Sequence, residues 1–152
     1  MTLLPVDIVK KPVILLAQKG PTANPLDQAL NTLADKKAEP GKREAAARQM
    51  SNLLDSSLPR KKDLNRIIQS LLPLLGEDSD TIRVYCADAI GTVSASMPMN
   101  LQASLLDDLL KLRKKNDRFK EGVDMALGAM HGSNIGPAIK ARIEAFWASL
   151  EK

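Results

Sequence analysis

A chain of 152 residues makes about one domain and can bury roughly 70% of its unfolded surface without help from a disulfide or a metal. Apolar residues are 44% of the chain and aromatics only 3%, so the core has to be Leu, Ile, Val, Ala and Met, a helical composition that excludes a strand-rich fold. The net charge of +4 is not gathered into one stripe: residues 42–62 carry six basic and two acidic side chains, 63–99 two and five, and 100–134 six and five.

The lone Cys86 can form no internal disulfide and points to a reducing compartment, where it serves as a small hydrophobe. No apolar run approaches the roughly 18 residues of a membrane span, and the start of the chain lacks the signal-peptide pattern. The expectation is a cytoplasmic protein with no membrane contact.

Residues 1–23, broken by Pro5 and Pro12 and holding the short apolar run Val13-Ile14-Leu15-Leu16, form a separate segment. It either folds back as a cap over the open end of a helical stack or projects as an apolar arm. The helical domain follows over 24–152. Asn24 and Pro25 supply an N-cap and a proline at the first helical position, and Leu26, Ala29, Leu30, Leu33 and Ala34 line one face. Pro40-Gly41 reads as a turn before a helix over 42–55. After the loop 56–62, Asp63 is the expected N-cap of a helix over 64–75. A tight acidic turn then leads to a helix behind Asp80, in which Ile82, Cys86, Ala89, Ile90 and Val93 recur at helical spacing as a core seam. Ser96-Met97-Pro98 ends it and Asn100 caps the next. A last break from His131-Gly132 to Gly136-Pro137 precedes a helix with the stripe Ile139, Ile143, Phe146, Trp147 and Leu150, interrupted by Arg142.

Shifted by 37 residues, the chain repeats. Ile82 meets Phe119, Arg83 meets Lys120, Ala89 meets Ala126, Ile90 meets Leu127 and Gly91 meets Gly128. In the preceding helix Leu64, Ile68, Leu72 and Leu75 meet Leu101, Leu105, Leu109 and Leu112. At an offset of 40, Arg43, Ala47, Met50 and Leu53 meet Arg83, Ala87, Ile90 and Val93, whereas Lys42 and Gln49 stand where Ile82 and Ala89 would be. A fixed period of this size signifies helix pairs that bury their apolar faces by stacking on neighbours.

Pro73, Asp80, Ile82-Arg83, Cys86-Ala87 and Ala89-Ile90-Gly91, in that order, resemble the HEAT repeat, and 117–130 resembles a looser copy with Phe119-Lys120 at its Val-Arg position. The resemblance implies an all-α, right-handed α-solenoid of about seven helices, with approximate repeats 24–56, 63–95 and 100–131 and a final helix over 137–151. It also implies that Arg83 and Lys120 pair with the turn aspartates Asp80 and Asp117. HEAT-like arrays serve many functions, so function has to be argued from sites.

Lys114 and Lys115 align with Glu77 and Asp78, so a basic turn is expected beside an acidic one rather than a phosphate site. Asp107 and Asp108 are neighbours on a helix and do not face each other, which makes them a poor acid/base pair. His131 and Cys86 are too few for a metal site, and no serine sits in a nucleophile motif. No catalytic residue, metal or cofactor is expected. What remains is surface: opposite the seam, Arg48, Asp88 and Met125 form one row and Ala45, Tyr85 and Gly122 another, with Tyr85 as the expected anchor. The function this supports is a non-catalytic protein-binding module, an adaptor, assembly factor or inhibitor. The alternative is a nucleic-acid or phosphate-backbone binder using Lys42, Arg43, Arg60, Lys61 and Lys62.

Overall fold

The computed structural model describes residues 24–151, so the expected cap or arm over 1–23 lies outside the described residues. The described residues are all-helical: α1 (Pro25–Ala34), α2 (Pro40–Ser56), α3 (Leu64–Leu71), α4 (Asp80–Ser94), α5 (Met99–Lys115), α6 (Lys120–His131) and α7 (Pro137–Leu150). Short 3-10 segments precede α3 and α6 and follow α3.

Local chemistry sets these boundaries. Asn24 Oδ1 accepts from the Leu26 and Asp27 amides at 2.8 and 3.4 Å and starts α1 as expected. Pro40 and Gly41 are not a turn but the first residues of α2, because proline at the first helical position forfeits only an amide that has no helical partner. The turn is formed instead where Asp35 Oδ1 accepts from the Lys37 amide at 3.0 Å. Pro73 cannot supply an α-helical amide, so α3 stops at Leu71 and continues as a 3-10 segment over Leu72–Gly76. Asp63 stands before α3 without capping it; its carboxylate is taken by Arg60 and Arg66. The cap of α4 is Ser79, one residue ahead of Asp80, with Oγ accepting from the Ile82 amide at 3.3 Å. Helix α5 likewise begins at Met99, ahead of Asn100.

The helices pair in chain order, α1 against α2, α3 against α4 and α5 against α6. The second helices then pack on one another, α2 on α4 and α4 on α6, while α7 rests on α5 and α6. The seam is fully inside: Ile82, Cys86, Ala89, Ile90 and Val93 are all buried. In the first helices the buried stripe is broader than the spacing alone implies, because Ile67, Leu71 and Leu106 are buried beside Ile68 and Leu105, whereas Leu72, Leu101 and Leu112 are only half-buried.

Two arginines at equivalent positions join one pair to the next. Arg43, at the start of α2, sends Nε and Nη2 back to the Leu33 carbonyl at the end of α1 (3.1 and 2.7 Å) and Nη1 forward to Glu77 Oε1 (2.9 Å). Arg83, at the start of α4, sends Nη1 back to the Glu77 and Asp78 carbonyls (2.6 and 3.0 Å) and Nη2 to Asp80 and forward to Glu121 Oε1, the latter at 2.9 Å. Each guanidinium thus satisfies carbonyls left over where the preceding helix ends and holds a carboxylate of the next pair. Lys120, at the third equivalent position, is exposed and makes no ion pair among the described residues.

Gln102 is a buried junction that hydrophobic spacing does not reveal. Its Nε2 donates to the Ser94 and Met97 carbonyls (2.9 and 3.1 Å) and its Oε1 accepts from the Gly136 amide (3.1 Å), tying the end of α4 to the loop before α7. In the seam of α4, the Cys86 thiol is pushed up to about 12 by burial, which leaves it neutral and inert.

The Arg43 hydrogen bond holds the Glu77 carboxyl below the ordinary carboxylate range against the pull of burial, aided by the charges of Arg43, Lys36 and Arg118. A carboxyl depressed in the folded state stabilises the protein above its unfolded value, and the contribution is lost as pH falls through the lower folded value. Glu77→Gln is therefore expected to lower stability at neutral pH by about 1–2 kcal/mol. In urea denaturation the gap from the wild type should close on acidification below about pH 4; a gap independent of pH would contradict the assignment.

Candidate interaction face

On the second helices, residues four apart lie one above another on the side away from the seam. Three rows result: Glu44 and Arg48 on α2, Asp80, Val84 and Asp88 on α4, and Asp117, Glu121 and Met125 running into α6. Arg48, Asp80, Asp88, Asp117 and Glu121 are exposed, and Glu44 and Met125 are half-buried. Val84, at the centre, is 46% exposed.

Of the residues expected to bind a partner, Arg48, Asp88 and Met125 thus fall on one continuous face. Tyr85 does not stand free beside them. It is half-buried and packed on the core. The row Ala45, Tyr85 and Gly122 is not an open surface either, because Gly122 is buried where a β-carbon would lie 2.2 Å from the Leu75 carbonyl oxygen. Its absent side chain lets the 3-10 segment after α3 press on α6. The apolar residue of α4 that is exposed is Val84, the neighbour of the expected anchor; Leu58, Met99 and Leu150, which are also exposed, lie outside the second helices. Its sequence signal is the repeat itself: Val84 occupies the position held by Glu44 and Glu121 in the other two copies.

The anion-binding set is largely dispersed. Arg43 is buried and fully committed to Leu33 and Glu77, which removes it as a ligand for anything outside. Arg60 is held by Asp63 at 3.2 Å, and Arg66 bridges Asp27 (3.1 Å) and Asp63 (3.6 Å). Lys42 is exposed and 3.8 Å from Glu39. Of this set only Lys61 and Lys62, exposed in the short 3-10 segment before α3, are without an ion pair among the described residues. Lys114 and Lys115 do not pair with the acidic turn beside them; Glu77 is taken by Arg43 and, at 3.9 Å, by Lys36, with Arg118 adding its field.

The other candidates are accounted for as contacts. Asp107 pairs with Arg142 at 2.7 Å, which explains the charge interrupting the stripe of α7. His131 Nε2 lies 2.7 Å from Glu144, and its ring packs 5.0 Å from that of Trp147. Arg113 grips Asp124 through two hydrogen bonds of 2.7 and 3.2 Å and covers the Phe146 ring. Among the described residues no group of three His, Cys, Asp or Glu converges as a metal site. No helix there is long and apolar enough to cross a membrane.

The half-burial of Tyr85 has a measurable cost. Tyr85→Ala should lower the stability by about 1–2 kcal/mol through lost apolar contact, less than the ~2–5 kcal/mol of Ile90→Ala in the sealed seam. A urea transition for Tyr85→Ala identical to wild type would show a solvated ring. Set against known protein families, curated proteins and solved structures, the chain finds no match.

Proposed function

We propose that this chain is a non-catalytic protein-interaction module, a HEAT-like helical stack of the cytoplasm that takes hold of a partner protein with the exposed face of α2, α4 and α6. In the cell it acts as an adaptor, assembly factor or inhibitor. The observation that carries this reading is Val84, an exposed apolar side chain at the centre of a continuous helical face and ringed by charge. An apolar centre with a polar rim is the anatomy of protein interfaces, where a few central contacts carry most of the affinity. The chain of helix contacts from α2 through α4 to α6 supports the stack, since it makes a single platform of helices far apart in sequence. The nucleic-acid alternative is weakened by the burial of Arg43 and the pairing of Arg60 and Lys42, which leave it two exposed lysines without an ion pair and no aromatic beside them.

Affinity capture from native lysate with wild type and Val84→Asp, each washed at low and high salt with and without nuclease, tests the reading. The expected result is a protein retained by wild type through both treatments and lost with Val84→Asp, at unchanged helical circular dichroism. Material released by nuclease, or kept by Val84→Asp and lost with Lys61→Glu/Lys62→Glu, would overturn it.

A further inference from the structure

We infer that the partner segment seated on this face is basic and amphipathic: a protein segment that lays an apolar side chain on Val84 and sets lysines or arginines around it. The inference rests on the interaction-module reading and adds the chemistry of the partner.

The argument is one of charge segregation. The chain as a whole is positive, at +4. Around Val84, however, the three rows hold the carboxylates of Glu44, Asp80, Asp88, Asp117 and Glu121 against the exposed cations Arg48 and, beside Asp117 and Glu121, Lys120. Part of that charge is internally satisfied: Asp80 and Glu121 share Arg83, and Glu44 accepts from Ser79 Oγ at 2.7 Å. Asp88 has only a long contact with Ser51 Oγ (3.5 Å), and Asp117 makes no ion pair among the described residues, so both are free to meet a cation. The two stand on opposite sides of Val84, one on α4 and one at the entry to α6.

A second observation is independent of charge. Beside Asp117 and Glu121 the surface dips into an open depression of about 580 Å³ lined also by Asp124, Met125 and Lys120, three carboxylates to one cation. An adaptable thioether flanked by carboxylates accommodates the aliphatic stem of a lysine or arginine with its charged head at the rim. A phosphate backbone would meet the same carboxylates as like charges and be repelled, whereas a basic segment is steered in. The exposed lysines at 61 and 62 lie before α3, away from these rows, and do not neutralise them.

The test is a titration of the ¹⁵N-labelled full chain with defined probes: an amphipathic lysine–leucine peptide, a lysine–serine peptide of equal charge, a glutamate–leucine peptide, and a single-stranded oligonucleotide. The lysine–leucine peptide is expected to bind with amide shifts centred on 80–88 and 117–125, and more tightly than the lysine–serine peptide. Asp88→Lys/Asp117→Lys should weaken it about tenfold or more by placing like charges together, and Val84→Ser should erase its advantage over the lysine–serine peptide. Shifts gathered elsewhere, or preference for the glutamate–leucine peptide or the oligonucleotide, would overturn the inference. Running the same charge reversal in the lysate capture separates the two readings. A captured protein lost with Val84→Asp but kept by Asp88→Lys/Asp117→Lys sinks the basic partner and leaves the interaction face standing; one kept by both variants sinks both.

Discussion

Everything in this molecule depends on how closely α4 can lie against α6. A β-carbon on Gly91 would sit 2.7 Å from both the backbone and the methyl group of Ala129, so the two helices meet there with only that methyl between them. That approach brings the seam of α4 into one core with Val123, Ala126 and Met130 of α6, all fully buried. On the other flank Ala47 and Ser51 of α2 are buried at the positions equivalent to Ala87 and Gly91, so small side chains set the spacing of the whole row. The exposed rows that carry the proposed function are simply the remaining side of this row of helices.

Burial alone does not fix how one pair sits on the next, and the arginines add that. Arg43 and Arg83 each close the exposed carbonyls at one helix end and reach forward to a carboxylate of the following pair, Glu77 and Glu121 respectively. Their charges are largely shielded, which is why the positive balance of the sequence does not become a positive face. The outer members of the row depart from the repeat at positions that are buried in α4. Lys42 and Gln49 replace the buried Ile82 and Ala89 on one side, and Asp124 replaces the buried Ala87 on the other, where Arg113 holds it. At Lys42 and Gln49 the departure marks a helix side left in solvent, and at Asp124 a side closed by a polar contact from α5.

Much of this was legible beforehand, for physical reasons. The seam from Ile82 to Val93 obeys a strict helical period and is buried throughout, and the number and order of helices among the described residues followed from prolines, caps and the 37-residue repeat. Less legible was anything decided by rotation of a few tens of degrees. Tyr85 and Val84 are adjacent, and which of them faces water depends on the angle at which α4 settles between α2 and α6, which sequence spacing does not specify. Arg43 looked like surface charge because its partners, Leu33 and Glu77, are 10 and 34 residues away. Gln102 was invisible for the same reason: its acceptors and donor are backbone groups of other segments, and backbone groups leave no trace in a sequence. Pro40 and Asp80 were displaced by a residue or two because turn and first-helical-turn chemistry favour the same residue types.

The close packing of the second helices is tested most directly by making the same change at two equivalent positions of the repeat. Alanine at a mid-helix glycine should add about 0.5–1 kcal/mol wherever there is room for it. Gly128, with nothing within 4 Å of its would-be β-carbon, has that room, while Gly91 has the Ala129 backbone in the way. In urea denaturation Gly128→Ala should raise stability by that amount, and Gly91→Ala should lower it by about 1–3 kcal/mol as an overpacked contact. Two substitutions that raise stability alike would mean that α4 and α6 do not meet at Gly91, and the row of second helices on which the interaction face is built would have to be abandoned.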